Sequence, residues 1–194
     1  MFTLGLDLDG VCADYVAAFK KYIADKRSID PETLPPPVSW RFEDAGWGFV
    51  DQEEFLNMHV EAVKHGMFRT MPAIEGASEA LWELSEAGVD IRIITHRLVT
   101  KNLHAMVAAD TVAWLDENSI PYRDICFVAK KVMVGADVYL DDAPHNVTLL
   151  REAGNTVITY DAVYNQNISG LRAYGWEDVK TLVIALKNDE LNYE

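Results

Sequence analysis

The 194-residue chain has little of several features that define other classes of protein. It contains two cysteines, Cys12 and Cys126, both within apolar segments, which predicts buried thiols rather than a disulfide framework or a thiolate metal site. No stretch approaches the ~18 uninterrupted apolar residues that a membrane helix requires, and no charged-then-apolar leader precedes Phe2. We therefore expect a cytoplasmic protein with no membrane partner.

Basic residues are scarce as well, with 17 Lys and Arg against 31 Asp and Glu and a formal net charge of −14. Because nucleic-acid affinity depends on neutralising phosphates with Lys and Arg, this balance disfavours a long nucleic acid as a partner. A small phosphorylated molecule is compatible with it, since a few positive groups or a metal can hold one phosphate locally.

Internal repeats are absent, and short apolar segments alternate with helical ones along most of the chain. This alternation is typical of a parallel sheet covered by helices on both faces, so we predict an α/β fold with a doubly wound parallel sheet. Strands are predicted at 2–8, 89–95, 124–128, 136–141 and 155–160, and helices at 14–26, 76–87, 99–118, 144–153 and 176–188.

Residues 27–74 break this alternation, with a run of three prolines at 35–37 and a helical stretch from about Asp51 to His65. The segment is too long for an ordinary connection between a strand and a helix. Its aromatic residues argue against disorder, because aromatic side chains favour a packed core. The sequence therefore predicts a lid subdomain inserted into the α/β domain.

The most informative segment is the apolar strand that ends in Asp7 and Asp9 and is followed by Gly10. Strand alternation places both carboxylates on one side of the chain as it leaves the sheet, where open α/β sheets bind ligands. Two close carboxylates repel each other, so the pair predicts a bound Mg²⁺ or a raised pKa. A calcium-binding EF-hand loop is disfavoured, because Cys12 and Ala18 stand where its glycine and glutamate belong. A solvated Asp-x-Asp-Gly turn is the alternative.

Polar side chains also follow later strands of the predicted sheet, namely Thr95, Lys131 and the pair Asp141 and Asp142. The carboxyl ends of parallel strands converge, which would bring together a carboxylate, a hydroxyl, an ammonium and an acidic metal cradle. Phosphoryl transfer needs that set of groups. Taken singly, each has a structural explanation, as a helix cap or a surface charge. Their joint order favours a catalytic site.

The order Asp-x-Asp-Gly, Thr, Lys, Asp-Asp resembles the four signature motifs of the haloacid dehalogenase-like (HAD) superfamily. A narrower resemblance is to the 5'(3')-deoxyribonucleotidase group. It implies a HAD-like core at 1–15 and 73–194 and a small, mainly helical cap at 16–72. The residues that carry the narrower resemblance are 6–14, Asp141, Asp142, Tyr164, Asn165, Gln166 and Trp176.

The resemblance also implies catalytic roles. Asp7 would attack the phosphorus and form an aspartyl-phosphate, and Asp9 would be the general acid and base. Thr95 would hydrogen-bond a transferring oxygen, and Lys131 would offset the charge on Asp7 and the phosphate. Lys130 is the alternative to Lys131, because one residue of slippage would exchange them.

The same resemblance implies Mg²⁺ as cofactor and names residues around it. Its ligands would be Asp7, the backbone carbonyl of Asp9, and Asp142, with Asp141 a direct or outer partner. His96 and Arg97 depart from the small residue and proline more usual after this threonine. Arg97 would clamp the phosphate or pair with an acid on the adjacent helix, and His96 would line or support the substrate site.

The inserted segment would select the substrate, because aromatic faces stack nucleobases. Phe19, Trp40 and Phe42 are candidate substrate contacts, and the alternative is that such aromatics form the cap's own core. The predicted function is a Mg²⁺-dependent phosphomonoester hydrolase, in particular a 5'-nucleotidase acting on (deoxy)nucleoside monophosphates. Alternatives are a phosphatase of another small metabolite or of a nucleic-acid 3'-phosphate end, and an inactive phosphate-binding relative. A homodimer is also left open.

Overall fold

The computed structural model describes residues 1–100 and 102–189 of the chain. Within them a parallel sheet of six strands has the order β3-β2-β1-β4-β5-β6, which confirms the predicted α/β class. The strands are β1 (Phe2–Leu6), β2 (Val89–Thr95), β3 (Asp124–Phe127), β4 (Val138–Asp141), β5 (Val157–Tyr160) and β6 (Arg172–Ala173).

Helices cover both faces of this sheet. The sheet's alternation is visible in β2, where Ile93 packs into the larger apolar core and its neighbour Ile94 packs with α6 on the opposite face. None of the helices in the described ranges is long and apolar enough to cross a bilayer. The helices are α1 (Tyr15–Arg27), α2 (Gln52–Lys64), α3 (Met67–Thr70), α4 (Ala77–Glu86), α5 (His104–Glu117), α6 (Pro144–Glu152) and α7 (Trp176–Lys187).

Several element boundaries differ from the sequence prediction by one or two residues, and the start of α5 differs by five. Strand β1 ends at Leu6 rather than at residue 8, because the Leu8 carbonyl accepts hydrogen bonds from the next turn and folds the chain back. Helix α5 begins at His104 rather than at residue 99, since Asn102 has a left-handed φ of 65° that no α-helix contains. Residue 101, also in that predicted helix, lies outside the described residues. Strand β6 was not predicted.

The inserted segment between β1 and α4 contains α1, α2 and α3 and has its own aromatic core. Phe19 is fully buried at its centre, stacked on Phe49 with 6.2 Å between ring centroids. Its ring also contacts Phe42, Trp47 and Phe55 at 5.8–6.1 Å. The insert therefore contains helices and a packed aromatic core, as expected for a subdomain rather than for a disordered segment, and its role as a cap stays a prediction.

Candidate active site

A cavity of about 320 Å³ lies between the carboxyl ends of the strands and the inserted helices. Its floor includes Asp7, Asp9, Thr95, Lys131 and Asp142, so the structure brings together side chains from four separate parts of the sequence. Strands β2 and β4 flank β1 in the sheet, which places these strand ends side by side. The convergence expected from a parallel sheet is observed.

Lys131 forms the centre of the floor. Its Nζ lies 2.7 Å from Asp7 Oδ1 and 2.6 Å from Asp141 Oδ2, and the side chain is buried. Burial of the ammonium opposes its charge, but Asp141 and Asp7 outweigh that effect and raise the pKa of Lys131. Lys130 is exposed, so the structure brings Lys131 rather than Lys130 to the site.

Asp7 has an acidity displaced toward neutral pH. Burial raises its pKa to about 7, with Asp141 and Asp9 adding to the rise and Lys131 opposing it. A carboxyl in such a position binds a proton near neutral pH unless further positive charge enters the site. The raised pKa of Asp7 is one of the two outcomes that the sequence predicted for this pair of acids, the other being a bound cation.

The two acids that end β4 have different surroundings. Asp141 uses both oxygens inside the protein: Oδ2 accepts from Lys131, and Oδ1 accepts from the backbone N–H of Ala143 at 3.0 Å and from Asn146 Nδ2 at 3.2 Å. Asp142 Oδ2 accepts a hydrogen bond from the Tyr164 hydroxyl. Its other oxygen, Oδ1, is buried without a partner among the described residues. Burial also raises the pKa of Asp142.

These acids fit a divalent cation. Asp7, Asp141 and Asp142 each offer a carboxylate oxygen, and the three oxygens lie within 4.8 Å of one another. Carboxylate oxygens are the ligands that Mg²⁺ and Ca²⁺ prefer. A buried oxygen without a hydrogen-bond donor is costly, and a cation beside Asp142 Oδ1 would remove that cost.

Residues distant in sequence support Asp142 and the turn below it. Asn165 is fully buried and donates from Nδ2 to the carbonyls of Asp142 and Tyr160, both at 2.8 Å. Trp176 Nε1 donates to the carbonyl of Val11 at 3.2 Å. Two of the late residues on which the narrower sequence resemblance depended therefore hold the backbone of Asp142 and of the turn after Asp9.

Gly10 has a positional reason to be glycine. Its φ of +83° lies in the left-handed region, and a Cβ there would collide with the Asp142 carboxylate and lie 3.1 Å from the Tyr164 hydroxyl. The turn after Asp9 can approach Asp142 only because this side chain is absent.

The last residue of β2, Thr95, and the two residues after it have separate surroundings. Thr95 is buried, and its hydroxyl has no hydrogen-bond partner among the described residues, so it does not cap a helix. His96 is exposed at the rim of the cavity. Arg97 is buried and pairs with Asp9, with Nη2 lying 2.6 Å from Asp9 Oδ1. The alternative in which Arg97 pairs with an acid on the adjacent helix is therefore wrong.

The predicted substrate aromatics divide into two groups. Trp40 and Phe42 line the cavity, and the Trp40 ring lies 5.4 Å from His145 and 5.6 Å from Tyr164, which belong to the α/β core. Phe19 is not among the residues that line it, because the ring is enclosed by the other aromatics of the insert. The alternative that such aromatics form the insert's own core describes Phe19.

Helix α2 supplies a face of the cavity that sequence reasoning missed. Its lining residues are spaced at i, i+3, i+4 and i+7, a stripe that marks one side of a helix. That signal was present in the sequence, but it is also the signal of an ordinary core-facing helix. The lining residues are Gln52, Phe55, Leu56 and His59.

His59 is the polar end of this stripe. Its Nδ1 lies 2.9 Å from the Tyr15 hydroxyl, and both side chains line the cavity. Burial lowers the pKa of His59 to about 4, although the charge of Asp9 acts in the opposite direction. His59 is therefore neutral at pH 7, and it presents an uncharged ring to the cavity.

Comparison with known proteins places this fold and site in a family. In structure the chain is similar to a HAD family hydrolase from Deinococcus radiodurans R1, solved with bound phosphate and sodium. The TM-score is 0.60 at 15% identity, covering 96% of each chain, so this likeness concerns the fold alone. The fold is that of the HAD-like hydrolases.

In sequence, the family model described as "5' nucleotidase, deoxy (Pyrimidine), cytosolic type C protein" matches residues 1–189. A Chlorobaculum tepidum protein, provisionally named a 5'(3')-deoxyribonucleotidase, is 42% identical over 185 residues, covering 94% of this chain and 90% of that protein. The 5'(3')-deoxyribonucleotidase of Bacillus subtilis (strain 168) is 24% identical over 183 residues, covering 91% and 95%. The chain belongs to the 5'(3')-deoxyribonucleotidase family of HAD-like phosphatases, which confirms both resemblances found in the sequence.

Proposed function

We propose that this phosphatase hydrolyses (deoxy)nucleoside 5'-monophosphates through an aspartyl-phosphate formed on Asp7, with Mg²⁺ as its cofactor. The observation that carries the proposal is the floor of the cavity. There Asp7 contacts Lys131, and Asp9 faces the same space only two residues away along the chain. A nucleophile, a candidate acid and a cation thus surround one position where a phosphoryl group would sit.

Metal binding is assigned to Asp7, Asp142 and the backbone carbonyl of Asp9. Asp142 is preferred to Asp141 as the direct ligand, because Asp142 Oδ1 has no partner among the described residues while both oxygens of Asp141 are occupied. Bound Mg²⁺ would neutralise part of the phosphate charge and of the clustered carboxylates. Asp141 then holds Lys131 in place through the contact between its Oδ2 and Lys131 Nζ.

In the first step, an Asp7 oxygen attacks the phosphorus while the bond from phosphorus to the ester oxygen breaks. Asp9, carrying a proton, donates it to the departing oxygen, so that the nucleoside leaves as an alcohol. Lys131 remains against Asp7 and offsets the negative charge that gathers around the phosphorus. The hydroxyl of Thr95 has no hydrogen-bond partner in the part of the chain that the structure describes, so it is available to donate to one of the phosphoryl oxygens.

In the second step, a water molecule attacks the phosphorus of the aspartyl-phosphate. Asp9 is now a carboxylate and accepts a proton from that water, which returns it to its starting state. The bond between phosphorus and Asp7 breaks, and inorganic phosphate leaves. The water must reach the phosphorus from the side that the nucleoside has vacated, because the opposite side faces Asp7.

Substrate selection is assigned to the inserted segment 16–72. We propose that this segment acts as a cap over the core, which comprises residues 1–15 and 73–194. Residues 190–194 of the core lie outside the described part. The rings of Trp40, Phe42 and Phe55 line the cavity, and Trp40, which is 39% exposed, offers a flat apolar surface to a base. Gln52 lines the same wall and can exchange hydrogen bonds with a base edge. A cytoplasmic location and a homodimer stay predictions.

The test is inorganic phosphate release from a panel of deoxynucleoside and nucleoside monophosphates, 3'-phosphorylated oligonucleotides and simple phosphate esters. Each is assayed with Mg²⁺, with a chelator, and with the Asp7→Asn variant. We expect mononucleotides to be hydrolysed best and both the chelator and the variant to abolish release. Asp44→Asn, an exposed acid on the insert, is the matched control and should behave as the parent protein.

Other results would change the assignment in defined ways. Hydrolysis of simple esters alone would leave the floor correct and overturn the role of the insert. Preference for 3'-phosphate ends would make the substrate a polymer terminus. No metal-dependent release from any ester would overturn the proposal and favour a phosphate-binding protein without turnover.

A further inference from the structure

Arg97 has an unusual position for a cation beside a phosphate site. The residue is 2% exposed, and its guanidinium faces the Asp9 carboxylate. Nη2 lies 2.6 Å from Oδ1, and Nε lies 3.2 Å from Oδ1 and 3.1 Å from Oδ2. Among the described residues, these contacts with Arg97 are the hydrogen bonds that the Asp9 side chain makes.

The remainder of the guanidinium is fixed as well. Nη1 donates to the hydroxyl of Thr111 on α5 at 3.2 Å, and that hydroxyl donates to the carbonyl of Val107 at 2.7 Å. The guanidinium plane packs over the ring of Phe68, 4.5 Å from its centroid, and Nη2 also lies 3.7 Å from Met71 Sδ. Contacts from both the core helix and the insert therefore hold Arg97 in one orientation.

This arrangement leaves little of Arg97 for a phosphate. A guanidinium has five N–H donors. Nε and one N–H of Nη2 point at Asp9, and the other N–H of Nη2 points at Met71. One N–H of Nη1 points at Thr111, so the second N–H of Nη1 is the donor without a partner among the described residues. A bidentate clamp on a phosphate uses two parallel N–H groups, so it would require the pair with Asp9 to break.

We infer that Arg97 is a positioning residue that aims the Asp9 carboxylate at the reacting oxygen, and that it is not a ligand of the phosphate. This inference rests on the proposed function, in which Asp9 donates and then recovers a proton. Without Arg97 the Asp9 side chain would be free to rotate, because the described structure gives its carboxylate no other hydrogen-bond donor.

The geometry also separates the two oxygens of Asp9. Oδ1 receives the short bond from Nη2 as well as one from Nε, whereas Oδ2 receives a single longer bond. Oδ2 is therefore the oxygen that exchanges the proton. The proton on Oδ2 passes to the ester oxygen as the bond from phosphorus to that oxygen breaks, and a proton from the attacking water later returns to Oδ2.

The inference is tested by comparing two leaving groups in Arg97→Met, Arg97→Lys and Asp9→Asn. A deoxynucleoside 5'-monophosphate releases an alcohol that needs the proton, whereas 4-nitrophenyl phosphate releases a stable phenolate that does not. The parameter is kcat/KM, because it reports the steps up to departure of the leaving group. A second parameter is the inhibition constant of inorganic phosphate.

For Arg97→Met we expect kcat/KM to fall about 100-fold with the nucleotide and less than about 10-fold with the aryl ester, the range of a lost general acid. Inhibition by inorganic phosphate should change less than about 3-fold. The kcat/KM of the double variant Asp9→Asn/Arg97→Met should be no lower than that of Asp9→Asn alone, because both substitutions remove the same function. Arg97→Lys keeps the charge but not the planar fork, and should show the same dependence on leaving group.

Three results would overturn the inference and make Arg97 a phosphate ligand. They are equal losses of kcat/KM with both substrates, weaker inhibition by phosphate, and additive effects in the double variant. Chemical denaturation of each variant checks folding. If Arg97→Met does not fold, Arg97→Lys alone decides by the same comparison. Failure of Asp7→Asn and Asp9→Asn to slow either substrate would overturn the proposed function instead, so the two failures are distinguishable.

Discussion

The floor and the roof of the cavity are built on different principles. On the floor, each charged side chain has a partner of opposite charge or a hydrogen-bond donor, as in the contacts of Lys131 with Asp7 and Asp141. On the roof, neighbouring aromatics serve different purposes: Phe19 is enclosed, while Trp40 is 39% exposed and reaches across to the core. In the proposed function, the floor would fix the position of a phosphoryl group, and the roof would leave space for the group attached to it.

Under the proposed function, this difference would give the chemistry to the sheet and the selectivity to the insert. Charges must be held to within a fraction of an ångström to stabilise a reacting group, and strand ends provide such rigidity. Stacking surfaces tolerate small displacements, and helices and loops are sufficient to carry them. Substitutions on the floor should therefore act mainly on the reaction rate, and substitutions on the roof mainly on substrate affinity.

The largest effect is expected from Lys131→Met, which removes the cation shared by Asp7 and Asp141. Two buried acids then lose their common partner, so we expect the metal-free protein to lose about 3 kcal/mol of unfolding free energy. We also expect kcat to fall at least about 1,000-fold. Urea denaturation and phosphate release measure the two effects. Lys130→Met changes the exposed neighbour and should alter neither; similar effects of the two substitutions would contradict the assignment.

The next largest effect is expected from Gly10→Ala, compared with Gly66→Ala. Both glycines have left-handed φ angles, of 83° and 81°, so both substitutions carry a backbone cost of about 1–2 kcal/mol. Only at Gly10 does the added Cβ meet Asp142, since nothing lies within 4 Å of the corresponding position at Gly66. We expect kcat to fall about 100-fold for Gly10→Ala alone. Equal activities of the two variants would show that the approach to Asp142 is unimportant.

Within the roof, Trp40→Leu and Phe19→Leu should separate selection from packing. Trp40→Leu removes a stacking surface and should raise KM for a nucleotide about tenfold, with little change in stability. Phe19→Leu leaves a cavity in the aromatic core and should cost about 1–2 kcal/mol of unfolding free energy with KM unchanged. Steady-state kinetics and urea denaturation give both quantities. The opposite pattern would place Phe19 rather than Trp40 at the substrate.

The smallest effect concerns the pH dependence of the roof. The pKa of His59 is about 4 in the folded protein, below its ordinary value of 6.5. Between these values the unfolded chain binds a proton that the folded protein does not, so this contribution to stability is present above about pH 6.5 and lost as pH falls toward 4.

We therefore expect the parent protein to lose about 1–2 kcal/mol more stability than His59→Asn between pH 7 and pH 5. Asparagine cannot take up the proton, and its amide can still reach the Tyr15 hydroxyl. The measurement is urea denaturation at both pH values. Parallel decreases in the two proteins would show that His59 does not titrate in this way.

The sequence predicted the floor better than the roof, for physical reasons. Asp7, Thr95 and Asp142 follow apolar strands, and parallel strands bring their ends together whatever the intervening chain does. The pair of Asp9 and Arg97 could not be predicted, because the two residues are 88 positions apart and their contact depends on tertiary packing. Strand β6 has only two residues, too few for a periodic signal.

The roof was harder because burial and ligand contact have the same sequence signal. Phe19 and Trp40 are both aromatic residues in the insert, and nothing in their local sequence separates the enclosed ring from the accessible one. The stripe of α2 that faces the cavity likewise has the spacing of any core-facing helix. Only the folded insert shows which of these side chains line the cavity and which are enclosed in the aromatic core.

The central claim is that the phosphoryl group passes to Asp7. The most direct measurement is mass spectrometry of the protein after a single turnover with a nucleotide, quenched in acid and digested. We predict one phosphoryl group on the peptide that contains Asp7, at a level that falls as inorganic phosphate appears, and its absence from Asp7→Asn. Stoichiometric release of phosphate with that peptide unmodified at every time point would contradict the account.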